Sequence, residues 1–228
     1  MKSISLLILI LFLTSCQTLP VINSSIPQTN EKIITCPSPF LKEKYRLIHA
    51  IEVNMAGETR SAIIGVTVAD PSTRLVSCAI MTVEGIVLFE AESGADSLKV
   101  MRALPPFDSD NFAKNMIDDI KLIFFAPMGK IQNKGKLPDG STGCRYREEN
   151  GDWIDVFANT TEDIEIKRYS PSGSLKRRIK LNKTSKNIYQ NVELQANELI
   201  NYSLILTLIE AQPAENELIM EESNGLEE

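Results

Sequence analysis

The side chains that could do chemistry are few in this chain of 228 residues. Its one histidine is His49, so any Ser-His-Asp relay would have to be built around it. His49 falls on the apolar face of an alternating segment and reads as a core residue. The acids Asp108, Asp110, Asp118 and Asp119 cluster in sequence. Two carboxylates can divide general acid and base work, but this group brackets the start of a helical pattern. It reads as a helix cap and a solvated face. The cysteines Cys16, Cys36, Cys78 and Cys144 contain no CxxC pair and no metal-ligand spacing, so no metal is expected. Cys36 and Cys144 sit in irregular polar segments and can pair in an oxidising compartment. Cys78 lies inside an apolar strand pattern and reads as a small hydrophobe. The stretch GKIQNKGK is not a phosphate loop, because five residues separate Gly129 from Gly135 and Leu137 follows Lys136. No enzyme and no cofactor is expected from these sets.

Cys16 is different, because it ends the run MKSISLLILILFLTSC. Lys2 supplies a charge, and Ile4 to Leu13 is apolar apart from Ser5. A membrane-spanning helix needs about 20 apolar residues, so this run is a signal-peptide core rather than a span. Leu13-Thr14-Ser15-Cys16 resembles the bacterial lipobox, in which the cysteine takes a diacylglycerol as a thioether. The resemblance implies a signal peptide at 1–15 and a lipid anchor at Cys16. More than one acyl chain makes such anchoring stable. Gln17, where an aspartate would resemble an inner-membrane retention signal, implies the outer membrane. Residues 16–36 then read as the lipidated end and a flexible tether. They contain no aromatic residue, and about 20 flexible residues span ~25 Å.

Without residues 1–15 the formal charge is −7, and residues 214–228 hold six glutamates and no base. The body is therefore nearly neutral, which excludes a nucleic-acid partner. Residues 213–228 read as an acidic, disordered tail. One domain at 37–212 is long enough for a sizeable core.

Period-two alternation predicts strands at Tyr45–Met55, Ser61–Ala69, Leu75–Thr82, Ile86–Glu92 and Leu98–Ala103. Val83-Glu84-Gly85 turns the third strand into the fourth. Pro105-Pro106 halts this meander, and Asp108, Ser109 or Asp110 can cap a helix. Phe112, Met116, Ile120, Ile123 and Phe124 share its apolar stripe, with Lys114, Asp118, Asp119 and Lys121 largely opposite. Pro127 ends it, and 128–143 reads as a polar loop. Strands follow at Trp153–Ala158, Glu165–Tyr169, Leu175–Leu181, Val192–Gln195 and Tyr202–Glu210, with a turn at Ser170–Ser174.

Three stretches, LVSCAIMTVEGIVLFE, MRALPPFDSDNFAKNMIDDIKLIFF, and YSPSGSLKRRIKL with VELQANELINYSLILTLIEA, occur in an order that resembles the lipoprotein-localisation fold of the LolA and LolB carriers. It also resembles a related family of proteobacterial lipoproteins. The resemblance implies a mainly β fold with α, a curved incomplete antiparallel barrel covered by one or more helices. The helix stripe would line an apolar cavity for a fatty acid, a phospholipid or a lipidated cargo. Val83 and Glu84 would form the loop that meets membrane or cargo. The implied protein is a periplasm-facing outer-membrane lipoprotein, a carrier or acceptor served by a periplasmic donor. The other reading is a membrane-tethered adaptor or assembly subunit without a cavity, with the tail and 128–143 as its contact surfaces.

Overall fold

The computed structural model describes residues 19–24, 35–55, 58–94, 97–109, 111–159, 163–183, 188–198 and 201–214. Cys16 and the signal run, the tail after 214, Asp110 and the turn at Ala56-Gly57 lie outside the described residues. Alternating apolar residues build twelve strands: β1 Tyr45–Met55, β2 Glu58–Asp70, β3 Leu75–Met81, β4 Val87–Ser93, β5 Leu98–Ala103, β6 Lys130–Lys136, β7 Thr142–Arg147, β8 Trp153–Ala158, β9 Asp163–Tyr169, β10 Leu175–Lys183, β11 Tyr189–Ala196 and β12 Tyr202–Pro213. One helix, α1 Phe112–Phe124, interrupts them among the described residues.

The strands form a single antiparallel sheet in the order β5-β4-β3-β2-β1-β12-β11-β10-β9-β8-β7-β6. The first and last strands pair at its centre, with Tyr45 opposite Pro213 and Met55 opposite Tyr202. β5 and β6 are left as edges, so the sheet is open rather than closed into a barrel.

One helix serves much of this sheet. Asp119 of α1 accepts from Arg177 Nε of β10 at 2.8 Å and from the Tyr202 hydroxyl of β12 at 3.0 Å. Lys121, half a turn on, donates to Ser93 Oγ of β4 at 3.0 Å. Six strand spacings separate β4 from β10, which is about 29 Å on a flat sheet. A helix with its side chains is only ~10–12 Å across. The sheet must therefore curl around α1, and one continuous core joins Ile117, Leu122, Ile123 and Phe124 to Leu47, Val76, Phe89, Ile166, Ile179 and Leu194.

Three expectations need correction. Residues 128–143 are not a loop, because β6 and β7 occupy most of them. β6 is an exposed edge strand, so it has no core face to mark it with alternating apolar residues. In β7, Arg145 holds Asp155 of β8 by two short contacts, Nε–Oδ1 2.6 Å and Nη2–Oδ2 2.7 Å, and a polar strand is paired by charge. Cys144 consequently sits in a strand and is fully buried. The helix is capped by neither Asp108 nor Ser109: Asn111 holds the cap position without a side-chain bond. Asp119 is not on a solvated face but is buried against Arg177.

Burial pushes the Asp119 carboxyl upward, against the pull of Arg177 and the Tyr202 hydroxyl. Burial also opposes the charge of Arg177, and Asp119 more than restores it. Removing Arg177 strands Asp119 in the core, and removing Asp119 leaves Arg177 with only the more exposed Glu198 as its counter-charge. Asp119→Ala should cost about 3 kcal/mol in chemical denaturation, while Asp119→Leu with Arg177→Met should recover most of it. A single substitution without cost would show that α1 is not held by this pair.

Candidate functional site: the inner face of the open sheet

Along the inner face of β1, exposure rises in steps. Tyr45, Leu47 and His49 are buried, Ile51 and Val53 are half-buried, and Met55 is exposed. On neighbouring β12, Leu206 is buried, with half-buried Leu204 and Tyr202 toward the Met55 end and half-buried Leu208 opposite His49. Packing permits this because Gly65 of β2 faces Ile51, and a Cβ there would meet Ile51 Cδ1 at 2.6 Å. The helix follows the same rule. Ile123 and Phe124 of the expected stripe are buried in the core, whereas Phe112, Met116 and Ile120 keep part of their surface. Part of the apolar face is thus left uncovered at the Met55 end of β1.

The other end is covered by a strap of which the sequence revealed only the expected Cys36–Cys144 pairing. Cys36 is joined to Cys144 of β7, with Cα atoms 5.4 Å apart. The Tyr189 hydroxyl of β11 donates to the Pro39 carbonyl at 3.0 Å. Leu41 N then donates to the Phe124 carbonyl at the end of α1, also at 3.0 Å. Phe40 and Leu41 are buried against the core before the chain enters β1. Beyond that pair, only the spacing of Pro37, Pro39, Phe40 and Leu41 hinted at it, and no helical or strand period marks so short a segment.

His49 lies within this covered end, its ring 6.2 Å from that of Phe124. Burial lowers its pKa to about 4, so the imidazole is neutral and serves packing. The buried thiol of Cys78 is likewise pushed up, to about 12. Neither has the environment of an activated catalytic group.

Between β3 and β4 the turn is tightly bonded. Thr82 N donates to Ile86 O, and Gly85, at φ +89°, donates back to Thr82 O, each at 3.0 Å. It presents Val83 and Ile86, 69% and 58% exposed, on either side of Glu84. Sequence reasoning named Val83 and Glu84 and missed Ile86, the last apolar residue before alternation resumes. On the outer face of β8–β11, a depression of about 460 Å³ is lined by Phe157, Glu165, Lys180 and Glu193. Its charged wall does not suit an acyl chain.

No family model matches the sequence, and no curated protein matches it. Among solved structures, the chain is similar to the crystal structure of a LolA superfamily protein from Nitrosomonas europaea. The TM-score is 0.51 at 9% identity, over 78% of this chain and 89% of that one. The likeness is one of fold, a mainly β, LolA-like open sheet.

Two measurements follow from this geometry. His49 resists protonation in the fold but takes a proton near pH 6.5 when unfolded, so the unfolded chain binds more protons between those values. Stability should fall as pH drops from about 6.5 to 4, by about 3 kcal/mol from this residue. His49→Leu should flatten that part of the stability–pH curve relative to the unsubstituted protein; parallel curves would contradict the assignment. Cys36→Ser opens a loop of sequence separation 108 and should cost about 4 kcal/mol. It should also raise the binding of an apolar dye as the strap lifts, and unchanged dye fluorescence would show that the bonds from Tyr189 and Leu41 hold the strap alone.

Proposed function

We propose that this chain is a lipid-anchored protein of the bacterial outer membrane that faces the periplasm. It takes acyl chains or lipidated cargo against the inner face of its open sheet. The graded exposure from His49 to Met55, met by Met116 and Ile120 of α1, carries this reading. It is an apolar surface that the fold assembles and leaves partly uncovered. Each methylene buried there contributes about 0.8 kcal/mol, so a chain of ordinary length needs no covalent chemistry to be held. The similarity to a LolA superfamily protein supports a lipid-binding use of the fold. The lipobox-like Cys16 supports the anchor, and Gln17 the outer membrane. The Val83–Ile86 turn offers two aliphatic side chains to cargo or to a delivering carrier.

A second reading has its own support. Phe40 and Leu41 already fill the covered end, as they would in a tethered adaptor whose core is only packed. Native mass spectrometry of residues 17–228, purified without detergent and then extracted with organic solvent, separates the two. A stoichiometric fatty acid or phospholipid is expected, and Met116→Glu should abolish it while the fold survives. An empty protein that takes up no added lipid or lipopeptide would establish the adaptor.

A further inference from the structure

The N-terminal segment 19–24 does not hang free of the domain. Asn23 and Lys136 exchange both backbone bonds, N→O 2.9 Å and 3.1 Å, extending the sheet beyond β6. Gly135 makes room for it, since a Cβ there would meet the Asn23 carbonyl oxygen at 2.3 Å and Ile22 Cγ2 at 2.9 Å. Leu19, Pro20 and Ile22 are half-buried. Cys16 precedes Leu19 by three residues, which span at most about 10 Å. The leash from lipid to domain is then far shorter than the sequence implied.

The two edges of the sheet differ in charge. On β5, which also exposes Leu98, Val100 and Met101, Lys99 and Arg102 each lie opposite an acid of β4, Glu92 and Glu90. On β6, Lys130, Lys134 and Lys136 lie opposite Arg147, Cys144 and Thr142 and have no acid across the ladder. All three lysines are exposed, and so are the aliphatics Val21, Met128 and Ile131 beside them. Edge lysines can simply discourage strand pairing between molecules, but that role does not call for exposed aliphatics. Interleaved lysines and aliphatics suit an anionic lipid surface, where each lysine near the surface adds attraction and the aliphatics enter the headgroup region.

We propose that the β6 edge, with residues 19–24 docked on it, is the membrane-facing surface of the domain and lies along an anionic bilayer. This rests on the reading of Cys16 as a lipid anchor. It places the Val83–Ile86 turn, which is at the opposite end of the strands from the Asn23 bridge, out toward soluble cargo.

The test uses the full lipidated protein in phosphatidylcholine vesicles containing phosphatidylglycerol and a headgroup nitroxide lipid. An environment-sensitive fluorophore is placed at Ile131→Cys or, separately, at Val83→Cys. Cys78 is buried and Cys36 is bonded to Cys144, so the introduced thiol is the reactive one among the described residues. Strong quenching at 131 and little at 83 is expected. Gly135→Val, which evicts Asn23, should abolish the difference. Lys130→Glu with Lys134→Glu and Lys136→Glu should do the same without touching the core, should Gly135→Val fail to fold. Equal quenching at both positions, or a difference that survives the lysine substitutions, overturns the proposal while leaving the anchor intact. A purified N-terminal peptide whose mass shows no lipid on Cys16 overturns both.

Discussion

The Asp119–Arg177 pair sets the shape of the molecule. A charge taken out of water must find a partner, and these two find each other at 2.8 Å across the interior. Such a pair contributes little net stability compared with packed apolar residues, but it fixes position strongly. Tyr202 takes the second carboxylate oxygen, so the helix has one angular setting against β10 and β12. Lys121 then reaches β4 on the far side. Two neighbouring polar residues of one helix therefore draw opposite halves of a twelve-strand sheet toward each other. The apolar core fills what they enclose.

Much of the strand pattern was legible because most strands have one face in that core. Tyr45–Met55 and Trp153–Ala158 match their expected limits, and α1 falls within the expected segment. What escaped has physical reasons. β6 is an edge with almost no buried face, so alternation had nothing to report. Asp118 and Asp119 are chemically identical, and the choice of which one is buried depends on Arg177, fifty-eight residues downstream. The Cys36–Cys144 bond of the strap was legible as a candidate pair, but its tyrosine hydroxyl and backbone bond join residues far apart in the chain and leave no period in it. The Phe112–Met116–Ile120 part of the helix stripe was legible as apolar, but its partial exposure was not. That depends on how far the sheet extends beyond the helix.

The two ends of the interior are built for different purposes. At the strap end, Cys36–Cys144, Tyr189 and Leu41 tie three elements together, and His49 is buried neutral among apolar neighbours. At the other end β1 runs on to an exposed Met55, and Met116 faces a half-covered surface.

An open sheet carries a liability, since each free edge offers unpaired backbone groups to other chains. The two edges meet it differently. β5 sets its cations opposite the glutamates of β4 and stays short, while leaving Leu98, Val100 and Met101 exposed. β6 gives part of its ladder to Asn23 and leaves its lysines unmatched. Balanced charge leaves an edge without net attraction for an anionic surface, whereas unmatched cations repel a second copy of the same edge and attract such a surface. The edge nearest the N-terminus is occupied by chain and charge, so a second copy meets repulsion at β6 instead of a free ladder.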